Sequence, residues 1–345
     1  MVAINRARLT ALSVFVVLIV VVTFVVSRRS GAFTHDSRIT FVAFSPDGSF
    51  LVSGSARNIH VLGFPEGTLL WDLRTRCTVD CADPFRDSSR IAFAGVGANG
   101  GVHIASLKER RDEVVLPNLE GLACNCIAVS PDESSIAIGC APLGSVDKSS
   151  QVKVLRIATK TELFELRSPE VTGRVTSLAF ANDNLGLWCA SDSGQLTKFD
   201  LLDRRKAHSV KLPGPIARIA LSPSGKEIAI GLSSPVRPSS LYILKTNETF
   251  PEEAQALNYS GIIHDLSYSP SGDLIAWTAN LGKVFVFDLK NNVRLLEVEI
   301  AKQTSDVRAG FGDYCRFSPD GGHLVAGGDA KCLRVWKVNE SGIHK

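Results

Sequence analysis

The residues of this 345-residue chain that could do chemistry are scattered. Its seven histidines stand singly among apolar runs and turns. A serine hydrolase of the GxSxG type is excluded because that turn does not occur, and the phosphate-binding pattern GxxxxGK[ST] is missing as well. An enzyme would need converging carboxylates or histidines, and His264 beside Asp265 is the one hint of them. The sequence therefore predicts a protein with no catalytic residues, no metal and no cofactor.

Eight cysteines could in principle form disulfides or hold a metal. Cys124 and Cys126 have the spacing of half a metal site, but no second pair of Cys or His with ligand spacing accompanies them. Most of the cysteines lie in apolar strand patterns, where a free thiol packs as a small hydrophobic group. Cys77 and Cys81 are the pair that we expect to lie close and loosely packed. They are candidates for a disulfide if the protein works outside the cytoplasm.

The elements that carry these residues repeat. The stretch FVAFSPDGSFLVSG, residues 41–54, places two apolar runs around a Ser-Pro turn, and the pattern recurs along the chain. With the turn serine as the register mark, seven copies follow one another at intervals of 40 to 51 residues. The marks are Ser45, Phe85, Ser130, Ala181, Ser222, Ser269 and Ser318. Such a period indicates one supersecondary unit repeated seven times.

Each unit reads as four short strands whose two faces both pack, and this organisation resembles a WD-repeat β-propeller. The resemblance extends from about Arg38 to Val338. Val335-Trp336 is the best match to the usual third-strand ending, whereas Trp71-Asp72 falls on a predicted fourth strand. The Ser-Pro turns also resemble those of Tol-system periplasmic propellers and prolyl-peptidase caps. We therefore predict an all-β fold, a seven-bladed propeller with four-stranded blades, preceded by one N-terminal transmembrane helix.

The N-terminal apolar run, Leu9 to Val26, has no charge over 18 residues, which as a helix reaches about 27 Å. We predict an uncleaved single-pass anchor in the bilayer. A cleaved signal peptide is the alternative, because Ser30-Gly31-Ala32 offers small residues for cleavage. Arginines flank the run on both sides, so the positive-inside rule does not orient it, and the side of the membrane on which the propeller lies stays open.

These boundaries give four segments. Residues 1–29 form the anchor, 30–37 a linker or closing strand, 38–340 the propeller and 341–345 a tail. Closure of the ring needs a fourth strand in the last blade, and only eight residues follow Lys337. In WD-repeat propellers an N-terminal strand usually completes that blade. The resemblance thus implies that Gly31 to Asp36 supplies it.

The net charge of the body argues against nucleic acid as a partner. Without the four arginines that flank the apolar run, 34 of the 38 basic residues remain against 35 acidic ones. Two mixed-sign runs, Lys108 to Glu113 and Asp203 to Lys206, fall where third and fourth strands turn. We interpret both as solvent-exposed turns.

Three long loops mark one face. In a propeller, the turns between second and third strands and the links between blades share one rim, here called the top face. The stretches 140–151, 231–240 and 301–313 are insertions that should all lie there, and loops on a rigid scaffold commonly bind partners. Polar residues at the start of innermost strands should lie near the axial channel. The candidate partner-binding residues are Lys148, Arg218, Arg237, Asp265, Arg308 and Tyr314.

The expected function is that of a membrane-anchored, non-catalytic scaffold that binds other proteins or peptides through its top face. The resemblance implies this function more than any residue does. An extracytoplasmic Tol-like or enzyme-associated propeller is the alternative, as is an enzyme with its site at the channel mouth. Arg218 and Asp265, on adjacent blades, either pair with each other or receive an acidic or peptide ligand.

Overall fold

The computed structural model describes residues 34–97, 100–117, 119, 121–142, 150–167, 171–235, 239–246, 255–300, 314–329, 331–339 and 342–344. Within these residues, seven antiparallel sheets of four strands each follow one another along the chain. Every sheet consists of four consecutive strands, and sequential first strands contact one another around the ring. The prediction of a seven-bladed propeller is confirmed.

The strands are numbered in chain order, four to a blade. Blades one and two contain β1 (Ile39–Phe44), β2 (Phe50–Ser55), β3 (Asn58–Gly63), β4 (Thr68–Arg74), β5 (Thr78–Pro84), β6 (Arg90–Val96), β7 (Gly101–Ser106) and β8 (Arg111–Pro117). Blades three and four contain β9 (Leu122–Val129), β10 (Ser135–Pro142), β11 (Gln151–Arg156), β12 (Thr161–Leu166), β13 (Val175–Phe180), β14 (Gly186–Ser191), β15 (Gln195–Asp200) and β16 (Arg205–Lys211). Blade five contains β17 (Ile216–Leu221), β18 (Glu227–Leu232), β19 (Leu241–Lys245) and β20 (Gln255–Ala256).

Blade six contains β21 (Ile263–Tyr268), β22 (Leu274–Ala279), β23 (Lys283–Asp288) and β24 (Val293–Glu299). Blade seven contains β25 (Tyr314–Phe317), β26 (His323–Gly327), β27 (Leu333–Asn339) and β28 (Gly342–His344). The one helical element among the described residues is a 3₁₀ turn, Asn280–Gly282. No helix in the described part of the chain is long and apolar enough to cross a membrane. The predicted span, Leu9 to Val26, lies outside the described residues.

The Ser-Pro turns are built by their buried serines. Ser45 Oγ donates to Asp47 Oδ1 at 2.7 Å and accepts the Phe50 N–H at 3.0 Å. Ser318 makes the same two bonds, to Asp320 at 2.5 Å and from the His323 N–H at 2.8 Å. Because these bonds close a short loop within the turn, the pattern fixes the link between first and second strands locally.

The core lies between the blades, since second strands are buried on both faces. All six residues of β2 are buried, and so are all six of β14. Glycine makes room where an innermost strand comes close to its neighbour. A Cβ on Gly54 would lie 1.9 Å from a ring carbon of Phe41, its partner on β1. No side chain other than hydrogen fits at that point.

Blade seven is closed from the C-terminal side. β28 pairs with β27 through Lys337↔His344, Val338↔Ile343 and Asn339↔Gly342. The fourth strand that the structure describes in blade seven is thus C-terminal, and residues 31–33 of the predicted closing segment lie outside the described residues. Two residues separate β27 from β28, and such a short hairpin connection has a low entropy cost of loop closure. From the N-terminal side, Thr34 forms a single bridge with Cys332, and the His35 N–H donates to the Lys331 carbonyl at 2.8 Å.

Candidate interaction site at the channel mouth

The first strands of six blades contain a β-bulge near their start. In blades one, four, five and six, pairing with the second strand skips the second residue of the first strand, as between Ile39 and Phe41, and in blade two it skips the third, Asp80. Blade three skips Asn125 in the same way, between Cys124 and Cys126. A bulge adds an unpaired residue and re-aims the side chains that follow it. The residues just after the bulge therefore form one ring at the top of the innermost strands.

This ring borders an axial channel of about 860 Å³, lined by innermost strands from all seven blades, from Thr40 in blade one to Tyr314 in blade seven. Arg218, Asp265 and Tyr314 occupy equivalent places in blades five, six and seven. Their second-strand partners are Gly231, Thr278 and Gly327. The structure thus brings together the three predicted binding residues that it describes. Lys148, Arg237 and Arg308 lie outside the described residues.

Asp265 is the centre of this cluster. Its side chain is 1% exposed, and its Oδ2 accepts the Cys315 N–H at 3.1 Å. Arg218 Nε lies 3.5 Å from Oδ1, and Arg316 Nη1 is paired with Oδ2. Both carboxylate oxygens are therefore occupied by protein donors, which joins blades five, six and seven. Arg218 and Asp265 were predicted either to pair with each other or to receive a ligand, and in the structure they are paired.

Arg218 is positioned on three sides. Besides the contact with Asp265, its Nη1 donates to the Thr176 carbonyl at 3.2 Å, and its guanidinium carbon lies 5.6 Å from the centroid of the Tyr314 ring. Burial lowers the pKa of Arg218, but Asp265, Tyr314 and two buried thiols together outweigh it, and the net pKa is raised. The side chain keeps 22% exposure, and its Nη2 has no hydrogen-bond partner among the described residues. Part of the guanidinium group therefore stays accessible at the channel mouth.

Arg316 is a site residue that sequence reasoning missed. It lies two residues after Tyr314 on β25, so both side chains are on the same side of the strand. Arg316 Nη1 also donates to the Cys315 carbonyl at 2.6 Å, and the side chain is 35% exposed. The period-two rule could have identified it. The cluster of two arginines and one aspartate then carries a net charge of +1.

Two further carboxyls line the channel, Asp80 and Asp83 on β5. Burial raises the pKa of Asp80 to about 6, opposed by Arg38. Burial also raises the pKa of Asp83 to about 6, although the Val129 N–H donates to its Oδ2 at 2.8 Å. Since both groups titrate near pH 6, the channel becomes more positive as the pH falls below that value.

The histidine of the acid–base hint, His264, is bonded to the side-chain amide of Asn280. His264 Nε2 lies 2.9 Å from Asn280 Oδ1, and burial lowers the pKa of the imidazole. His264 is the bulged residue of β21, whereas Asp265 points into the ion-pair cluster. Within the described part of the chain, no group of three or more His, Cys, Asp or Glu side chains could hold a metal ion.

All eight cysteines are free. The expectation that Cys77 and Cys81 lie close and loosely packed was wrong. Both are buried, and they pack in different core clusters, Cys77 against blade one and Cys81 against blade three. The bulge after Val79 turns Cys81 to the opposite face of the sheet. The close sulfur pair is instead Cys124 and Cys140, 3.4 Å apart on neighbouring strands.

Comparison with known proteins agrees with this architecture. The family model described as WD domain, G-beta repeat matches residues 28–61 and 313–337, which include much of blades one and seven. None of the curated proteins matches the chain. The β-propeller domain of Cps50 (Swd1) from Myceliophteria thermophila has a similar crystal structure, with a TM-score of 0.71 at 15% identity. That likeness covers 90% of this chain and 99% of the Cps50 domain.

Proposed function

We propose that this protein is a membrane-anchored, non-catalytic platform that binds another protein or a peptide on its top face. Two WD-repeat matches and the propeller fold support an interaction scaffold, which is the usual role of WD-repeat propellers. The binding residues are Arg218, Asp265 and Tyr314 at the channel mouth, with Lys148, Arg237 and Arg308 in the surrounding loops. Leu9 to Val26 is the anchor in the bilayer.

The observation that carries the proposal is the state of Arg218. A cation held by Asp265, the Thr176 carbonyl and the Tyr314 ring has lost most of its rotamer freedom before any partner arrives. A ligand that accepts its remaining hydrogen bonds therefore loses little entropy in ordering it. Asp265 has the role of positioning Arg218, because its own oxygens are already occupied. We infer that the partner presents a carboxylate or a run of backbone carbonyls to Arg218.

The test compares the proteins that copurify with three full-length variants and with wild type, quantified by mass spectrometry. Arg218→Gln and the double variant Lys148→Ser/Arg237→Ser change the top face, whereas Arg111→Gln changes an exposed arginine on the outer strand of blade two. We expect the same partners to be lost from both top-face variants and retained by Arg111→Gln and wild type. Identical partner sets in all four samples would contradict binding on the top face.

The anchor is tested separately. Alkaline carbonate extraction should leave the full chain in the membrane pellet, and the chain lacking residues 1–29 should be released. Labelling of a Ser149→Cys variant with an impermeant maleimide, in intact and permeabilised cells, then reports the side of the membrane. Release of the full chain by carbonate would rule out the anchor without affecting the proposal for the top face.

A further inference from the structure

Two leucines protrude from adjacent turns at one corner of blade four. Leu202 is 72% exposed and Leu185 is 46% exposed. Leu202 lies between β15 and β16, and Leu185 lies in the turn between β13 and β14. The two turns are joined by a hydrogen bond of 2.9 Å from the Leu201 N–H to the Leu185 carbonyl. Apolar side chains grouped on a surface can mark an interaction site.

The fold itself does not require a leucine at residue 202. Five blades have the same four-residue turn between third and fourth strands, each with a positive φ at its last residue, as at Arg204 (53°) and Arg110 (52°). Its second residue is Leu202 in blade four. In the other blades with this turn the equivalent residues are Pro65, Lys108, Ala158 and Lys290. The place is therefore one that tolerates charge.

The same comparison holds for residue 185. In every blade, the carbonyl at this place accepts an N–H from at or just beyond the end of the third strand, as Leu185 does from Leu201. The equivalent residues in the other six blades are Ser49, Ser89, Ser134, Lys226, Asp273 and Gly322. Only blade four therefore combines apolar residues at both places, and the repeat alone gives no structural reason for them.

Cations surround the two leucines. β16 contains Arg205, Lys206 and Lys211 without any acidic residue, whereas β4, β8, β12 and β24 each include at least one. Asp203 is paired with Arg205 at 3.0 Å, and Asp200 Oδ1 accepts the N–H groups of Leu202 and Asp203, each at 2.9 Å. Lys211 lies at the far end of the strand, opposite Gln195. The corner itself thus has four cations, Lys198, Arg204, Arg205 and Lys206, against Asp183, Asp200 and Asp203, and its net charge is +1.

We propose that this corner, Leu185 and Leu202 with the cations of β16, contacts the surface of a bilayer that contains anionic lipids. The leucines form a convex tip that enters the boundary between headgroups and acyl chains, while the cations of β16 lie on anionic headgroups. A convex tip of two side chains offers a protein partner little area, whereas a lipid surface deforms around it. This contact is independent of the channel mouth and of the predicted anchor.

The experiment places an environment-sensitive NBD fluorophore at residue 202. The full-length protein carries Leu202→Cys together with Cys332→Ser, because Cys332 is the only native cysteine that is not buried. The matched control carries the label at Lys290→Cys, the same place in the turn of blade six. Vesicles are phosphatidylcholine alone or phosphatidylcholine with 30% phosphatidylserine.

With anionic vesicles we expect the label at 202 to shift to the blue, to brighten about threefold and to be quenched by doxyl-labelled lipid. The label at 290 should not respond, and vesicles of phosphatidylcholine alone should give a much weaker signal at 202. Because the readout is local, insertion of the N-terminal segment alone cannot produce it. Equal responses at 202 and 290, or no response at 202 with anionic vesicles, would overturn the proposal.

Two variants of the labelled protein then separate the contributions of the leucines and the cations. Leu185→Ser introduces the residue found at this place in blades one to three, and Arg205→Gln/Lys206→Gln removes two charges from β16. Each should weaken the response at 202 by severalfold, and only the charge variant should lose its dependence on salt. A full response in both variants would overturn the proposed surface.

Discussion

At the scale of single residues, one buried carboxylate organises the channel mouth. Asp265 receives Arg218 from blade five and Arg316 from blade seven, so a single side chain joins three sheets. Removing one partner of such a buried group leaves uncompensated charge, which costs more than the pair itself contributes. The cluster therefore joins three blades of the ring, and in the proposed function it also positions Arg218 for the partner.

Asp265→Ala should destabilise the propeller by about 3 kcal/mol, because two partly buried arginines and the Cys315 N–H lose their acceptor. For a body of this size that loss corresponds to a fall in melting temperature of about 5 °C. Thermal unfolding monitored by circular dichroism measures it. Asp203→Ala, which removes an exposed ion pair with Arg205, serves as the control and should change the melting temperature by less than about 1 °C. Equal shifts in the two variants would show that Asp265 contributes no more to stability than an exposed ion pair.

His35 provides a prediction on pH. Burial and the neighbouring His60 lower the pKa of His35 to about 4, below the ordinary value of 6.5. Its nitrogens lie 3.0 and 2.9 Å from the hydroxyls of Ser55 and Ser53. Since the unfolded chain binds the proton more readily, the contribution of neutral His35 is fully present above pH 6.5. It is lost as the pH falls from 6.5 to 4.

Proton NMR of the imidazoles should show that His35 stays neutral at pH 5, where an ordinary histidine is charged. The loss of stability from this group at pH 4 should be at most about 3 kcal/mol. Asp80 and Asp83 act in the opposite direction: their raised pKa values favour folding at low pH, and that contribution is lost as the pH rises through about 6. Comparison of wild type with His35→Asn at each pH isolates the histidine, and a pKa near 6.5 for His35 would contradict the prediction.

At the scale of elements, the β-bulge in the first strand decides where side chains point. It separates Cys77 from Cys81 in blade two and places His264 away from the cluster that contains Asp265. Glycines on the second strand leave space opposite the bulge, so the side chain of the residue after the bulge can pack against the sheet. Gly54 faces Phe41 in this way, and Gly139 faces Cys126.

Gly54→Ala should destabilise blade one by about 1–3 kcal/mol, because the new methyl group would overlap the Phe41 ring. Urea denaturation of the single variant measures the cost. The double variant Gly54→Ala/Phe41→Leu frees space, so its stability should exceed the sum of the two single changes. Strict additivity of the two substitutions would show that the methyl group and the ring do not interact.

At the scale of the whole molecule, the ring is held by contacts between neighbouring blades, and the last blade depends on a three-residue strand. β28 covers one end of the outer edge of β27. The contact of β1 with β25 completes the ring on the inner side. Blade seven is therefore the place where the propeller should open first.

Deletion of residues 342–345 should release blade seven locally without unfolding the rest. Hydrogen exchange followed by mass spectrometry should show faster exchange in β27, by an order of magnitude or more, because its amides at Lys337 and Asn339 lose their neighbouring strand. β14, which is fully buried in blade four, is the internal control and should exchange as in wild type. Unchanged exchange in β27 would show that β28 contributes nothing to closure.

Sequence patterns alone predict the number of blades, the four strands in each and the Ser-Pro turns, because these features depend on local hydrogen bonds and on the alternation of apolar residues. They also place Arg218, Asp265 and Tyr314 at equivalent positions, since the register repeats. The same alternation, applied from Tyr314 along β25, would also have identified Arg316 as a site residue.

Which partners these residues contact depends on how the blades pack around the ring. Asp265 and its arginines lie about fifty residues apart on different blades, and a bulge, not visible in the apolar pattern, sets their direction. Closure by β28 and the separation of Cys77 from Cys81 likewise depend on pairing and on bulges, which local patterns do not encode. The exposure of Leu185 and Leu202 became visible only when equivalent turns of all the blades could be compared in space.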